Sequence, residues 1–204
     1  MKIDNFKLIN DFIGTRKRDD GTFYFAQVIQ RKKDFAENVK SVRVLKSYYI
    51  YDAEYLMRKT DEIINLCEEN RARAYINLNE RSARAVAFKM LKETADALYN
   101  GAFASVAKLY DSCCGQTCSA SEKLWLIDLD GNKTALESDI MDYIDSRMPV
   151  NESTKLALKV PTRHGVHLLV SPFDKREFGM KFPNIDMHKD NPTMLYYPES
   201  IDNV

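Results

Sequence analysis

The sequence predicts an α+β domain in which an N-terminal α/β module packs against a second half built on a mixed β-sheet. Three observations carry this. Apolar residues at helical spacing alternate with β-rich stretches through the first 120 residues, and short β-rich segments bounded by turn residues cluster after them. The composition is that of a globular chain, since 45% of its 204 residues are hydrophobic and only 7 are Gly and 6 Pro. At this length one compact domain is expected.

Residues 23–30 (FYFAQVIQ) and 42–51 (VRVLKSYYIY) are rich in aromatic and β-branched side chains and read as strands, with the basic Arg31-Lys32-Lys33 between them. A helix follows over 53–70, where Leu56, Ile63, Leu66 and Cys67 share one face. Residues 73–78 (RAYINL) form a short strand. Ser82 then caps a second helix with the apolar stripe Ala83, Val86, Ala87, Met90, Leu91 and Leu98. Residues 102–110 continue as a helical piece, and 115–121 are polar and loop-like.

The strand at 124–130 (LWLIDLD) ends at a Gly131-Asn132 turn. Leu136, Ile140, Tyr143, Ile144 and Met148 mark a helix that Pro149 stops. A turn at Arg163-His164-Gly165 leads into a strand at 166–170 (VHLLV). Two more strands follow at 184–187 and 194–197 (MLYY), the last ended by Pro198. The late order β-α-β-β-β suggests an RRM-like palm over residues 121–204, with residues 1–120 as the α/β module of the same domain.

No apolar run approaches the roughly 18 residues that span a bilayer, so no membrane partner is expected. The start, Met1-Lys2-Ile3-Asp4-Asn5-Phe6, has no apolar signal core, and a cytoplasmic location is expected. The 30 basic and 30 acidic residues cancel, which removes any global attraction to polyanions. Residues 1–50 nevertheless hold 11 basic and 6 acidic side chains, whereas residues 51–150 hold 12 and 17. Cys67, Cys113, Cys114 and Cys118 should be reduced in the cytoplasm. The cluster at Cys113, Cys114 and Cys118 offers a single knuckle, whereas zinc sites usually take two, so a loop with adventitious thiols is the expectation.

The residues suited to chemistry lie in the second half. Asp128 and Asp130 are two apart on a strand, so both carboxylates point to one side, with Cα atoms about 7 Å apart at about 3.3 Å per residue. Trp125, Ile127 and Leu129 point to the other side, into a core. A pair of acids on a rigid strand end is suited to hard cations. His167 opens an apolar run two residues after Gly165, beside Arg163 and His164, a setting suited to phosphate. Asp186 sits between Ile185 and Met187, where a carboxylate needs a partner, and a cation held by Asp128 and Asp130 would be one.

Taken together, Leu126-Ile127-Asp128-Leu129-Asp130, Gly165-Val166-His167 with its apolar run, and Ile185-Asp186 resemble the three motifs of the archaeo-eukaryotic primase (primase-polymerase) superfamily. The resemblance covers about residues 121–200 and is most specific over 160–170 (VPTRHGVHLLV). It implies a nucleotidyltransferase of DNA replication or repair, acting on nucleoside triphosphates along a single-stranded DNA template, alone or with a helicase or other replication protein. It implies Mg²⁺ or Mn²⁺ on Asp128, Asp130 and Asp186, with His167 on the incoming triphosphate. Arg163 is added to the nucleotide site from its charge and place. The family often has a small hydroxylated residue where Gly165 stands here, and Thr162 or the Gly165 backbone would substitute for it. Three close carboxylates should repel one another and raise their acid pKa values without metal.

Other readings of the same residues are a metal-dependent nuclease, a degenerate palm that only binds nucleic acid or a replication partner, and an HUH-type nicking enzyme using His164 and His167. The last is disfavoured because positions three apart on a strand face opposite sides.

Overall fold

The computed structural model describes residues 1–16, 19–31, 34, 42–118, 120–150 and 153–201. Lys32 and Lys33 of the basic stretch lie outside the described residues. Phe6, Ile9 and Ile13, spaced three and four apart, give α1 (Phe6–Thr15) a buried apolar face. This helix was not anticipated, nor was the two-residue β1 (Ile3–Asp4) before it. β2 (Thr22–Gln30) and β3 (Arg43–Ile50) follow, then α2 (Ala53–Asn70), which Asp52 caps by accepting a hydrogen bond from the Tyr55 N–H at 2.6 Å. β4 (Arg73–Ser82) runs further than 73–78, and Ser82 also caps α3 (Ala83–Tyr99). α4 (Leu109–Gln116) takes in Gly115, where a loop was expected, because Cys113 and Cys114 are buried against Phe23 and Phe25.

The second half comprises β5 (Trp125–Asp130), α5 (Glu137–Asp145), β6 (Leu156–Pro161), β7 (Gly165–Val170), the one-turn α6 (Phe178–Lys181), β8 (Asp186–His188) and β9 (Thr193–Tyr197). β6 and α6 were not anticipated. One sheet has the order β1-β9-β4-β2-β3 and the other β6-β7-β5-β8. The mixed sheet is corrected: every strand pair is antiparallel. In the four-stranded sheet, α5 and the α6 segment each connect strands that have one strand between them. Such crossovers leave all neighbours antiparallel. The chain does not part cleanly at residue 120, because β9 returns to the five-stranded sheet.

α1 and α2 cover one face of the five-stranded sheet, burying Tyr24, Ala26, Val28, Ile76 and Tyr48 with Leu56 and Ile63. On the other face, Phe23 and Phe25 meet Val86, Cys113 and Cys114. The stripe expected along α3 is corrected here. Only Val86 is fully buried, while Leu91 is 68% and Leu98 50% exposed, and among the described residues no element covers that side of the helix. The four-stranded sheet packs Ile127, Leu129, Val166 and Leu168 onto Ile140, Ile144, Phe178 and Phe182.

Two buried asparagines fasten the sheets to each other. Asn5 donates from Nδ2 to the Pro161 and Met194 carbonyls, both at 2.9 Å. Asn79 donates to the Leu124 carbonyl at 2.9 Å and accepts from the Leu124 N–H at 2.7 Å. Amide side chains serve here because each offers both donor and acceptor to backbone left over at a sheet junction.

Candidate active site in the cleft between the sheets

Alternation along β5 sends Ile127 and Leu129 into the core under α5 and turns Asp128 and Asp130 toward the other sheet. Register then assembles the site. Asp128 lies directly opposite His167 on β7 and directly opposite Asp186 on β8. Residues opposite each other in a ladder project to the same face, so these three side chains share the side that carries Asp130. Asp130 itself is opposite Gly165. A Cβ on Gly165 would lie 1.9 Å from the Leu129 carbonyl oxygen, so only glycine lets β7 approach β5 there.

Thr162, Arg163, His164 and Gly165 form the tight turn from β6 to β7. The Thr162 N–H donates to the Gly165 carbonyl at 3.0 Å, and the Gly165 N–H donates to the Thr162 hydroxyl oxygen at 3.1 Å. The Thr162 oxygen is thus engaged in building the turn. The His164 carbonyl accepts from the Gly131 N–H at 2.8 Å, tying this turn to the end of β5. His164 sits in the turn rather than on β7, and it lines the same cleft as His167. Strand alternation therefore does not set the side on which it lies.

His167 is held from the other sheet. Its Nδ1 lies 2.9 Å from the hydroxyl of the buried Thr193 on β9. Its Nε2 lies 3.6 Å from Asp128 Oδ1, an oxygen that is buried and has no hydrogen-bond partner. Burial pushes the Asp128 carboxyl above its ordinary range; His167 opposes this, and the charges of Asp130 and Asp186 add to it. Burial likewise pushes the His167 imidazole below its ordinary value, against the pull of Asp128 and Asp130. The repulsion expected between the carboxylates is present, but desolvation is the larger cause.

The cleft has a volume of about 500 Å³. Its second wall comes from the five-stranded sheet and includes Gln27, Arg31, Arg73, Tyr75 and Asn77. Arg73 ion-pairs with Asp34, both buried, and its guanidinium lies 4.7 Å from the Tyr197 ring centre. Arg31 donates to the Tyr75 hydroxyl at 3.2 Å. The Arg163 guanidinium lies 5.3 Å from the Tyr197 ring centre and lines the cleft. Arg31, Arg73 and His188 were not singled out from the sequence. His188 stands two residues after Asp186, the spacing that joins Asp128 to Asp130, so that signal was available.

Among the described residues, no three His, Cys, Asp or Glu side chains are grouped to hold a metal ion. The four cysteines are free thiols, and burial pushes Cys114 up to about 12, which fits packing rather than ligation. No described helix is long and apolar enough to cross a membrane. Comparisons with protein-family models, curated proteins and solved structures find no match for the chain.

Proposed function

We propose that the chain is a primase-polymerase-like nucleotidyltransferase that adds nucleotides from nucleoside triphosphates along a single-stranded DNA template. The observation that carries this reading is the register that sets Asp128 between His167 and Asp186; Asp128, Asp130 and His167 line the cleft, and Asp186 is exposed beside it. The β-α-β-β-α-β order with strands arranged 6-7-5-8 supports an RRM-like palm as the carrier of that site.

The donor set fits a divalent cation. Asp128 Oδ1 is a buried carboxylate oxygen with no hydrogen-bond partner, and Asp130 and Asp186 stand on its own and the adjacent strand. Mg²⁺ is commonly held by one or two carboxylates and completes its octahedral shell with water and phosphate, so these acids need not form a closed cage beforehand. Two such ions, when bound, activate an attacking hydroxyl and stabilise the charge on the leaving pyrophosphate. In this reading Asp128, Asp130 and Asp186 hold the cations. Thr193 fixes the imidazole of His167 so that Nε2 faces the cleft, and His167 and Arg163 receive the triphosphate. Gly165 keeps β7 close enough to β5 for this. Arg31 of the second wall gives the phosphates a positive counter-charge, while the charge of Arg73 is neutralised by Asp34.

The test is nucleotide incorporation on a single-stranded template with Mg²⁺ or Mn²⁺, with and without a primer. Product from the native chain should vanish in Asp128→Ala/Asp130→Ala. Metal-dependent triphosphate binding should weaken in His167→Ala. Product that survives the double substitution would sink the proposal.

A further inference from the structure

Outside the cleft, the outer face of α3 is apolar and, among the described residues, uncovered. Phe88, Leu91, Ala95 and Leu98 succeed one another at steps of three, four and three residues, the spacing of a seam between paired helices, and all four are exposed. Phe88 is 62% exposed, and Tyr99, next to Leu98, is 91% exposed. At about 200 Å² for a whole aromatic side chain, these two rings alone present on the order of 300 Å², the size at which an apolar patch marks an interaction surface. Val86 and Met90, which hold α3 against Phe23 and Phe25, lie on the opposite side of the helix.

The two flanks of this stripe differ. One carries Lys92 and Asp96, both exposed, and neither forms an ion pair among the described residues. The other carries Ala87 and Thr94 and no charge. Arg84 stands at the start of the stripe, its guanidinium 5.7 Å from the Phe88 ring centre. The last turn of α3 has no basic residue to face its free carbonyls.

We propose that α3 pairs antiparallel with α3 of a second copy of this chain, about a two-fold axis level with residue 93. A two-fold interface must be self-complementary, and this surface is so in one direction only. The antiparallel pair sets Phe88 against the partner's Leu98 and Leu91 against the partner's Ala95. It also puts the charged flanks together in reversed order, so that Lys92 of each copy reaches Asp96 of the other. Each Arg84 arrives at the carbonyl end of the opposite helix, where a cation is favourable. A parallel pair would instead bring the two Arg84 side chains together in the seam and leave Lys92 and Asp96 facing the uncharged flank. The seam of a single 17-residue helix is smaller than the about 800 Å² per partner of a standard interface, so the dimer should form in the micromolar range. None of these residues lines the cleft, so the pairing stands or falls separately from the nucleotidyl-transfer reading.

The experiment is sedimentation velocity of the full chain from about 1 to about 200 μM, at low salt and with a reducing agent that keeps the four thiols from linking copies. The native chain should pass from monomer to dimer across that range. A two-fold axis makes every substitution act twice, so Leu91→Glu should weaken the dimer by about 100-fold or more. The Leu91 side chain is exposed, so the fold should persist, and circular dichroism checks this. Lys92→Glu sets like charges against each other at both pairs and should weaken the dimer roughly fivefold. Lys92→Glu/Asp96→Lys exchanges the charges and should return it to within about twofold of native. A dimer that survives Leu91→Glu would overturn the proposal, as would a double substitution no better than Lys92→Glu alone. A chain that stays monomeric throughout would overturn it too, and co-sedimentation of that monomer with phosphatidylcholine vesicles would assign the face to a lipid surface instead.

Discussion

Two polar clusters lie where the sheets face each other, and they differ in depth and in how their charges are matched: Arg81 is fully buried, whereas Asp128 is half-buried beside the exposed Asp130 and Asp186. Around Arg81, Nε donates to the Cys114 carbonyl at 2.8 Å and Nη1 donates to the Asn79 carbonyl at 3.2 Å and to Asp190 Oδ1 at 3.0 Å, while Nη2 has no hydrogen-bond partner but stands in an ion pair 3.0 Å from Asp190 Oδ2. Asp190 also accepts from Asn79 at 3.1 Å. Around Asp128, by contrast, the buried carboxylate oxygen has no hydrogen-bond partner, stands 3.6 Å from a partly neutralised His167, and is crowded by neighbouring carboxylates that raise the cost of its charge. A buried charge that meets its full counter-charge holds a fold together, while one crowded by like charges keeps interaction capacity for something else. The first cluster reads as structure and the second as a site.

The comparison breaks most directly at Arg81, which is fully buried. Arg81→Leu leaves Asp190, Asn79 and the Cys114 carbonyl without their donor, and should cost about 3–5 kcal/mol in urea unfolding. A loss below about 1 kcal/mol would mean that the matched cluster does not hold the sheets. Gly165 comes next. In Gly165→Ala the new methyl meets the Leu129 carbonyl and must part β5 from β7, at a cost of about 1–3 kcal/mol. Amide exchange should quicken along Leu129 and Val166, opposite each other in the register, before it does in β2 and β4.

The site was more legible in the sequence than the frame around it. Asp128, Asp130, His167 and Asp186 are displayed by short-range rules, strand alternation and a glycine beside an apolar run, and the register of three adjacent strands then brings them together. β6 carries Leu156, Leu158 and Val160 at strand spacing with Lys159 between them, but the run is short and Pro161 ends it. α1 shows Phe6, Ile9 and Ile13 at helical spacing, with Leu8 and Phe12 broadening the apolar face of a short segment. Leu91 and Leu98 mislead for the opposite reason: helical periodicity reveals an apolar face but not whether anything will cover it. The second wall of the cleft was hidden, since Arg73 and Asp128 come to line one cleft only through the packing of two sheets. The return of β9 to the first sheet is of the same kind, a long-range pairing that local pattern does not encode.

The unmatched cluster is sharpened by neutralising it. The raised carboxyl of Asp128 means that the native state binds its proton more tightly than the unfolded chain does. Stability therefore declines as pH rises from the ordinary aspartate range through the raised value. Asp128→Asn removes that decline. At neutral pH it should leave stability unchanged or raise it by up to about 1 kcal/mol, the behaviour of residues kept for function at a cost to the fold. The same substitution should abolish any rise of the thermal midpoint with Mg²⁺ or Mn²⁺. A large loss of stability would place Asp128 with the structural cluster.

A third cluster provides the smallest effect and tests whether a matched cluster must also be buried to hold the fold. Glu62 accepts from Lys46 at 2.5 Å, from Lys59 at 2.8 Å and from Tyr48 at 3.0 Å, so it is matched like the Arg81 cluster, but its side chain is 36% exposed. The hydrogen bonds from Lys46 and then Lys59 hold its carboxyl at about 2, against an ordinary 4.5. The unfolded chain binds the proton more readily across that window. The stabilisation is therefore complete above the ordinary value and is lost as pH falls toward the lowered one. Solvent screens charges this exposed, so Glu62→Gln should cost under about 1 kcal/mol at neutral pH, and less in high salt. The difference from native should fade when unfolding is followed down through acid pH. A cost near that of Arg81→Leu would mean that matching alone, at any depth, decides which polar clusters hold the fold, and the contrast drawn from burial would fail.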